Sequence, residues 1–221
     1  MKTSKFFIFG AVCSLIISLF TMSSCAKSSN DQQTKSTVEF WEMYDAATLL
    51  PVMEAIDEAT AELYDNPLGV MLSGMTEVQG PVVGKAFYND TAAINAILHS
   101  DAAKAVLPDD VRFAWTGYAP PRGSFYHLVA VKVHGDGPLL AEPIMKDAKV
   151  EDTPWGLSVA IIPTEEGTAK LKDLYEQYPD KLLLIIEGNV YPIVPICDEL
   201  IIPGNFADEE EAKALLEIIK Q

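Results

Sequence analysis

His99, His127 and His134 are the only histidines of the 221-residue chain, and His127 and His134 stand seven apart with Asp136 close by. A metal centre needs ligands that converge on one point, and this spacing around an extended segment does not impose that geometry. The histidines are read as ordinary side chains. Carboxylates gather at Glu165-Glu166 and from Asp208 to Glu211. Each group opens a helical pattern, where negative charge complements the helix dipole, so capping explains them better than acid-base catalysis. There is no glycine-rich phosphate loop and no Gly-x-Ser-x-Gly elbow, and Cys197 has no histidine near it in sequence. Cys197 ends the apolar run 191–197 and reads as a buried structural thiol. These residues predict no catalytic group, no cofactor and no metal, and a chain that is not an enzyme.

Cys25 carries the clearest chemistry. Lys2 and Lys5 precede an uncharged, mostly apolar stretch from Phe6 to Met22, and Ser23-Ser24 lead directly into the cysteine. Residues 19–25, Leu-Phe-Thr-Met-Ser-Ser-Cys, resemble the lipobox of lipoprotein signal peptides, with Met22 where Leu is usual. The resemblance implies cleavage before Cys25 and acylation of its thiol and new amino group. Residues 1–24 are then a signal peptide. An uncleaved anchor is the rival reading, since the apolar run reaches roughly the 17-residue lower limit for a spanning helix. Each buried acyl methylene contributes about 0.8 kcal/mol, so several chains anchor durably.

The chain has 16 basic and 32 acidic residues, net −16, and loss of Lys2 and Lys5 makes the remainder more acidic still. That balance argues against nucleic acid and against docking on anionic lipid heads. With Cys25 lipidated, Cys197 has no partner for an internal disulfide, so stability must come from a packed core. Residues 25–37 form a small, polar tether spanning roughly 20 Å as a coil.

Strands are predicted at 38–44, 81–88, 111–115, 125–133, 157–162, 181–186, 190–196 and 200–202. Helices are predicted at 48–64, with Leu49, Val52, Met53, Ile56, Ala59 and Leu63 inward, at 90–98 under an Asp90 cap, at 164–178 and from 208 to the C-terminus. Pro51 would lie in a first turn, and Gly167 is a tolerated weak point. Glu187-Gly188-Asn189 reads as a hairpin turn and 135–138 as another turn. Residues 118–124 have the composition of an exposed loop. Helices and strands alternate without a strict βαβ repeat, which gives an α+β class with mixed, largely antiparallel sheets and packed helices. A soft boundary near 149–155 separates subdomains 38–150 and 151–221.

Residues 157–221 resemble the head of the first periplasmic domain of SecD, in the SecDF component of the Sec export machine. Three segments carry the likeness in order: 162–170 (Ile-Pro-Thr-Glu-Glu-Gly-Thr-Ala-Lys), the hairpin 184–196, and 202–212 with its Gly204-Asn205-Phe206 turn and acidic helix start. A weaker match covers 39–44, 66–68, 82–86 and 90–91. Asp198 and Glu199 stand where that family usually has paired glycines, and the link 178–181 differs. In SecDF, membrane-embedded charges use the proton gradient, and this needs a spanning bundle. No segment after residue 24 reads as one. The resemblance therefore implies a SecD periplasmic-head-like C-terminal part and a non-catalytic polypeptide-binding module, without the motor. The expected partners are the membrane, through the lipid on Cys25, and exported polypeptide or Sec translocon components, with no nucleic acid. Tyr118, Arg122 and Phe125 are the expected contact loop. The expected place is the periplasm or cell surface of a Gram-negative envelope. Alternatives are a structural or regulatory envelope lipoprotein unconnected to Sec, or a small-ligand binder or enzyme whose site forms only in three dimensions.

Overall fold

The run Leu182-Leu183-Leu184-Ile185-Ile186 has no polar member, so both of its faces must be covered. The computed structural model describes residues 38–75, 80–117, 125–135, 137–141, 143–196, 198–204, 206 and 208–221, and in it all five of these side chains are buried. One sheet contains β1 (Val38–Met43), β2 (Val82–Phe87), β3 (Val111–Thr116), β4 (Phe125–Lys132), β7 (Leu182–Ile186) and β8 (Asn189–Tyr191). The second contains β5 (Met145–Thr153), β6 (Gly156–Pro163), β9 (Val194–Ile196) and β10 (Glu199–Ile202). The helices are α1 (Ala46–Thr60), α2 (Leu68–Met71), α3 (Thr91–Leu98), α4 (Asp101–Lys104), α5 (Glu165–Gln177) and α6 (Glu209–Lys220). The class is α+β. Pairing is antiparallel except between β3 and β8, which run parallel.

The first sheet closes on itself. Its order is β1-β7-β8-β3-β4-β2, and β1 also pairs with β4 through Glu42↔Lys132 and Met43↔Val131. Strands β1, β7, β8, β3 and β4 thus form a ring, with β2 attached to the outside of β4. The period-two alternation of a strand sends one set of side chains into the ring. Trp41, Ala114, Val129, Val131, Leu183, Ile185 and Val190 form that inner cluster. The opposite faces of β1 and β7 supply Val38, Phe40, Leu184 and Ile186 to a second core, completed by β5, β6, β10, α5 and α6. Leu128 and Ala130 of β4 face outward under α1 and α3, where Leu49, Met53, Ile56, Ile94 and Ile97 form the third.

At one opening the ring carries a polar group. Glu39 accepts a hydrogen bond from Trp41 Nε1 at 2.9 Å. Arg112 lies 3.8 Å from the same carboxylate and stacks 4.9 Å from the centre of the Trp41 ring. Among the described residues no helix is long and apolar enough to cross a membrane.

Local chemistry sets the element ends. Thr164 and Asp208 cap α5 and α6 by accepting from the backbone N–H groups of Gly167 and Glu211, each at 3.0 Å. Glu187 and Gly188 both have positive φ, 48° and 79°, which is the conformation of a tight two-residue hairpin loop. Several expectations are corrected. Helix α1 starts at Ala46 because Asp45 caps it, so Pro51 lies in the second turn, where the carbonyl it leaves unbonded belongs to exposed Ala47. The helix ends at Thr60, whose hydroxyl donates to Ile56 O. Thr60 is buried, and the inward places expected for Ala59 and Leu63 are not taken, since both are exposed.

Asp90 is not a cap. It belongs to a 3-10 turn, Tyr88–Asp90, and makes no capping bond. The expected strand 190–196 is two strands in different sheets, β8 and β9, separated at Pro192-Ile193. The expected subdomain boundary falls within the β5–β6 hairpin, and C-terminal β7 and β8 complete the ring begun by β1, β3 and β4. Gly167 is required rather than tolerated, since a Cβ there would sit 2.5 Å from the Ile144 carbonyl oxygen and 2.8 Å from its Cβ. Cys25, Cys197, Asn205, Asp136 and residues 1–37 lie outside the described residues.

Two predictions follow from this packing. Gly167→Ala gains roughly 1 kcal/mol of helix propensity but must displace backbone, so a net loss of about 1–2 kcal/mol is expected in urea unfolding. Burial pushes the phenols of Tyr175 and Tyr191 up to about 12, with Glu211 and then Glu187 adding to the effect at Tyr191. Folded chains then hold these protons more tightly than unfolded ones. The corresponding stability is complete below pH ~10, the ordinary tyrosine value, and is lost as pH rises towards the folded-state value of about 12. Tyr175→Phe and Tyr191→Phe should each flatten that alkaline loss in denaturation curves taken across this range.

Candidate polypeptide-contact surface

Strand β2 pairs with β4 so that Ala86 faces Tyr126 and Phe87 faces Phe125. Cross-strand neighbours on one face stand close enough for rings to meet. The Phe87 and Phe125 ring centres are 4.2 Å apart, tilted by 30°. Tyr88, first residue of the 3-10 turn, reaches Tyr126 with ring centres 5.6 Å apart. Lys85 lies over Phe125 at 5.9 Å, a cation-on-ring contact. Phe87 is 50% and Tyr88 63% exposed. Burial, then the neighbouring Tyr88 and Glu211, raise the Tyr126 phenol above its ordinary value.

Of the expected contact residues, Phe125 is thus placed in one of two ring pairs at the start of β4, Phe87–Phe125 and Tyr88–Tyr126, whose β4 members point to opposite faces of the strand. Tyr118 and Arg122 lie outside the described residues. The expected aromatics divide: Phe40 and Trp41 are core, at 0% and 2% exposure, while Tyr44, Trp115, Phe125 and Tyr126 are half-buried. Phe87 and Tyr88 were legible only as the end of a predicted strand. The signal that identifies them is the adjacent Phe-Tyr pair at 87–88 meeting the adjacent Phe-Tyr pair at 125–126.

The histidines are not brought together. His127 is exposed and its backbone N–H donates to Thr116 Oγ1. His134 Nε2 meets Glu42 Oε2 at 2.6 Å, with its ring edge against Tyr178. His99 lies at the end of α3. Among the described residues no three His, Cys, Asp or Glu side chains are arranged to hold a metal. A depression of about 320 Å³ is lined by Glu42, Asp45, Lys132, Asp180 and Lys181 among others. Its charges are mixed, and it offers no aligned nucleophile and base.

No family model and no curated protein matches the chain. Two solved structures are similar. A structure of SecDF, a membrane component that enhances protein export, aligns over 83% of this chain and 92% of its own, at 16% identity and a TM-score of 0.35. A crystal structure of SecDF in its super-membrane-facing form aligns over 84% of this chain and 28% of its own, again at 16% identity and 0.35. A likeness of this degree assigns neither site nor activity.

Phe87 and Tyr88 are exposed, so truncating either costs little. Tyr88→Ala should lower stability by less than about 1 kcal/mol, whereas Trp41→Ala should cost about 3–5 kcal/mol. Paired urea titrations of the two variants read the contrast.

Proposed function

We propose that this chain is a membrane-tethered, non-enzymatic binding module of SecD-head type, held at the envelope through a lipid on Cys25 and contacting exported polypeptide or a Sec component. The observation that carries the reading is the exposure of two adjacent aromatics, Phe87 and Tyr88, each held against a half-buried ring of β4, Phe125 and Tyr126. Rings of this kind offer large contact area at low cost in side-chain entropy. Lys85 adds one positive charge beside them. The three ordered motif segments at 162–170, 184–196 and 202–212 support the family side of the reading, and the lipobox-like residues 19–25 support the tether. Loop 118–124 leads directly into Phe125, so the surface and the expected contact loop are continuous in sequence.

The test is photocrosslinking in cells with the full chain. A photoreactive residue at position 88 or 118 is expected to yield adducts with exported polypeptide or Sec components. The same residue at exposed Lys146, on β5, serves as the control. Equal yields at all three positions, or no polypeptide adduct at 88 and 118, would overturn the proposal.

A further inference from the structure

Among the described residues the ring has an incomplete seam on β3. Val133 N donates to Asp110 O at 2.8 Å, which sets the ladder phase between β3 and β4. In an antiparallel pair, hydrogen-bonded and non-hydrogen-bonded pairs alternate. Phe113↔Ala130 is therefore a non-hydrogen-bonded pair. Ala130 confirms this independently: its N–H donates to Pro81 O at 2.8 Å, and its C=O accepts from Tyr44 N at 3.0 Å. The N–H and C=O of Phe113 and the C=O of Val111 consequently point to the other edge of β3. On that edge β8 pairs only at Trp115 and Thr116. Val111 N is satisfied by Pro108 O at 3.3 Å. Among the described residues the three remaining groups have no partner.

These groups face a groove of about 620 Å³ whose lining includes His99, Lys104, Leu107, Asp109, Trp115 and Gly188. Trp115 forms part of it in a fixed orientation, because its Nε1 donates to Asn95 Oδ1 at 3.0 Å. The other sheet edges are blunted in the ways proteins use to prevent strand addition. The outer edge of β2 is covered at Lys85 by Ser73, which exchanges two backbone hydrogen bonds with it. Strand β5 carries Lys146, Asp147, Lys149, Glu151 and Asp152, and β9 is three residues long with Pro195 at its centre. The first half of β3 presents unpaired backbone to an open groove.

We infer that the β3 edge from Val111 to Ala114 receives an extended, acidic segment of a partner polypeptide by strand addition, in line with β8. The unpaired groups are a donor and two acceptors on one strand edge, the complement of another backbone. Four residues of strand, about 13 Å, fill the gap. The rim selects charge. Lys104 has no ion-pair partner among the described residues, and Arg112, which also stacks on Trp41, has a single ion-pair contact, with Glu39 at 3.8 Å. Together they outnumber Asp109 on a chain of net charge −16. A second copy of so acidic a chain is repelled, and residues 26–37, with Lys27 and Lys35 against Asp31, carry the wrong sign. The site is separate from the aromatic surface, so loss of crosslinks at position 88 leaves the present inference standing.

The experiment uses the full chain and synthetic eight-residue peptides: one alternating Val and Glu, one alternating Val and Lys, and two Val/Glu peptides N-methylated at every Val or at every Glu. Fluorescence anisotropy should show the Val/Glu peptide binding at least fivefold tighter than Val/Lys. One of the two methylated peptides should lose at least tenfold, because it cannot donate to the β3 edge. In hydrogen exchange, the Phe113 amide should exchange freely in the free chain and slow at least tenfold with saturating Val/Glu peptide. Lys104→Glu, at an exposed position, should reverse the charge preference without changing the unfolding midpoint. The inference is overturned if methylation has no effect, if Phe113 gains no protection, or if Lys104→Glu leaves the preference intact. It is also overturned if Phe113 is already protected without peptide, independently of concentration (the chain's own segment) or only at high concentration (a second copy).

Discussion

The fold depends on how one residue, Ala130, uses its backbone. Its N–H bonds to Pro81 and its C=O to Tyr44, so the same edge of β4 serves β2 on one side of this point and β1 on the other. The ring is closed there by two residue pairs and the adjacent Tyr44 bond. Without that seam β1 would keep β7 and the Phe40–Leu140 bridge but lose β4, and Trp41, the largest side chain of the inner cluster, would lose its Val131 neighbour. Closure also has a directional consequence. Because Ala130 is committed to β1 and β2, its neighbour Phe113 is left to seek partners on the far edge of β3.

Closure explains why so little of the chain's core is amphipathic in the simple sense. In β7, odd positions enter the ring and even positions enter the large second core, so a polar residue at any of the five would be buried unpaired. In β1 the alternation persists with an exception that has its own solution. Glu39 falls on the inward register beside Ile185, but at the ring's opening, where Trp41 Nε1 and Arg112 supply donors. The carboxylate thus satisfies the indole N–H of a 2% exposed tryptophan while keeping contact with water.

What was legible in the chain follows the range of the forces involved. Caps at Thr164 and Asp208, the turn at Glu187-Gly188 and the doubly covered β7 are decided within a few residues, and each was readable. The split of 190–196 was not, because Val190, Ile193 and Val194 are equally suited to either sheet and only tertiary partners separate them. Asp90 has the composition of a cap, but the Phe87-Tyr88 pair draws the chain into a 3-10 turn against Tyr126 before the helix begins. Closure of the ring joins residues near 43 to residues near 131, and the parallel β3–β8 contact joins 115 to 189. No local pattern encodes such pairings. The expected boundary near 150 failed for the same reason: a composition change marks a hairpin there, while the sheet is assembled across it.

The contact surface was legible in part. An aromatic at 125 beside a Pro-Gly loop suggested exposure, yet Phe87 and Tyr88 became its partners only through register. A one-residue slip of β2 on β4 would turn Phe87 away from Phe125 and break the ring stack. Register is held there by Ala86, buried at 1% opposite Tyr126, and by Val83, buried at 1% further along the strand. The exposed surface is therefore not a loose accumulation of apolar residues. It is positioned by the same helix-covered core that holds α1 and α3 on the ring, so any binding role it has depends on small buried side chains that never meet the partner.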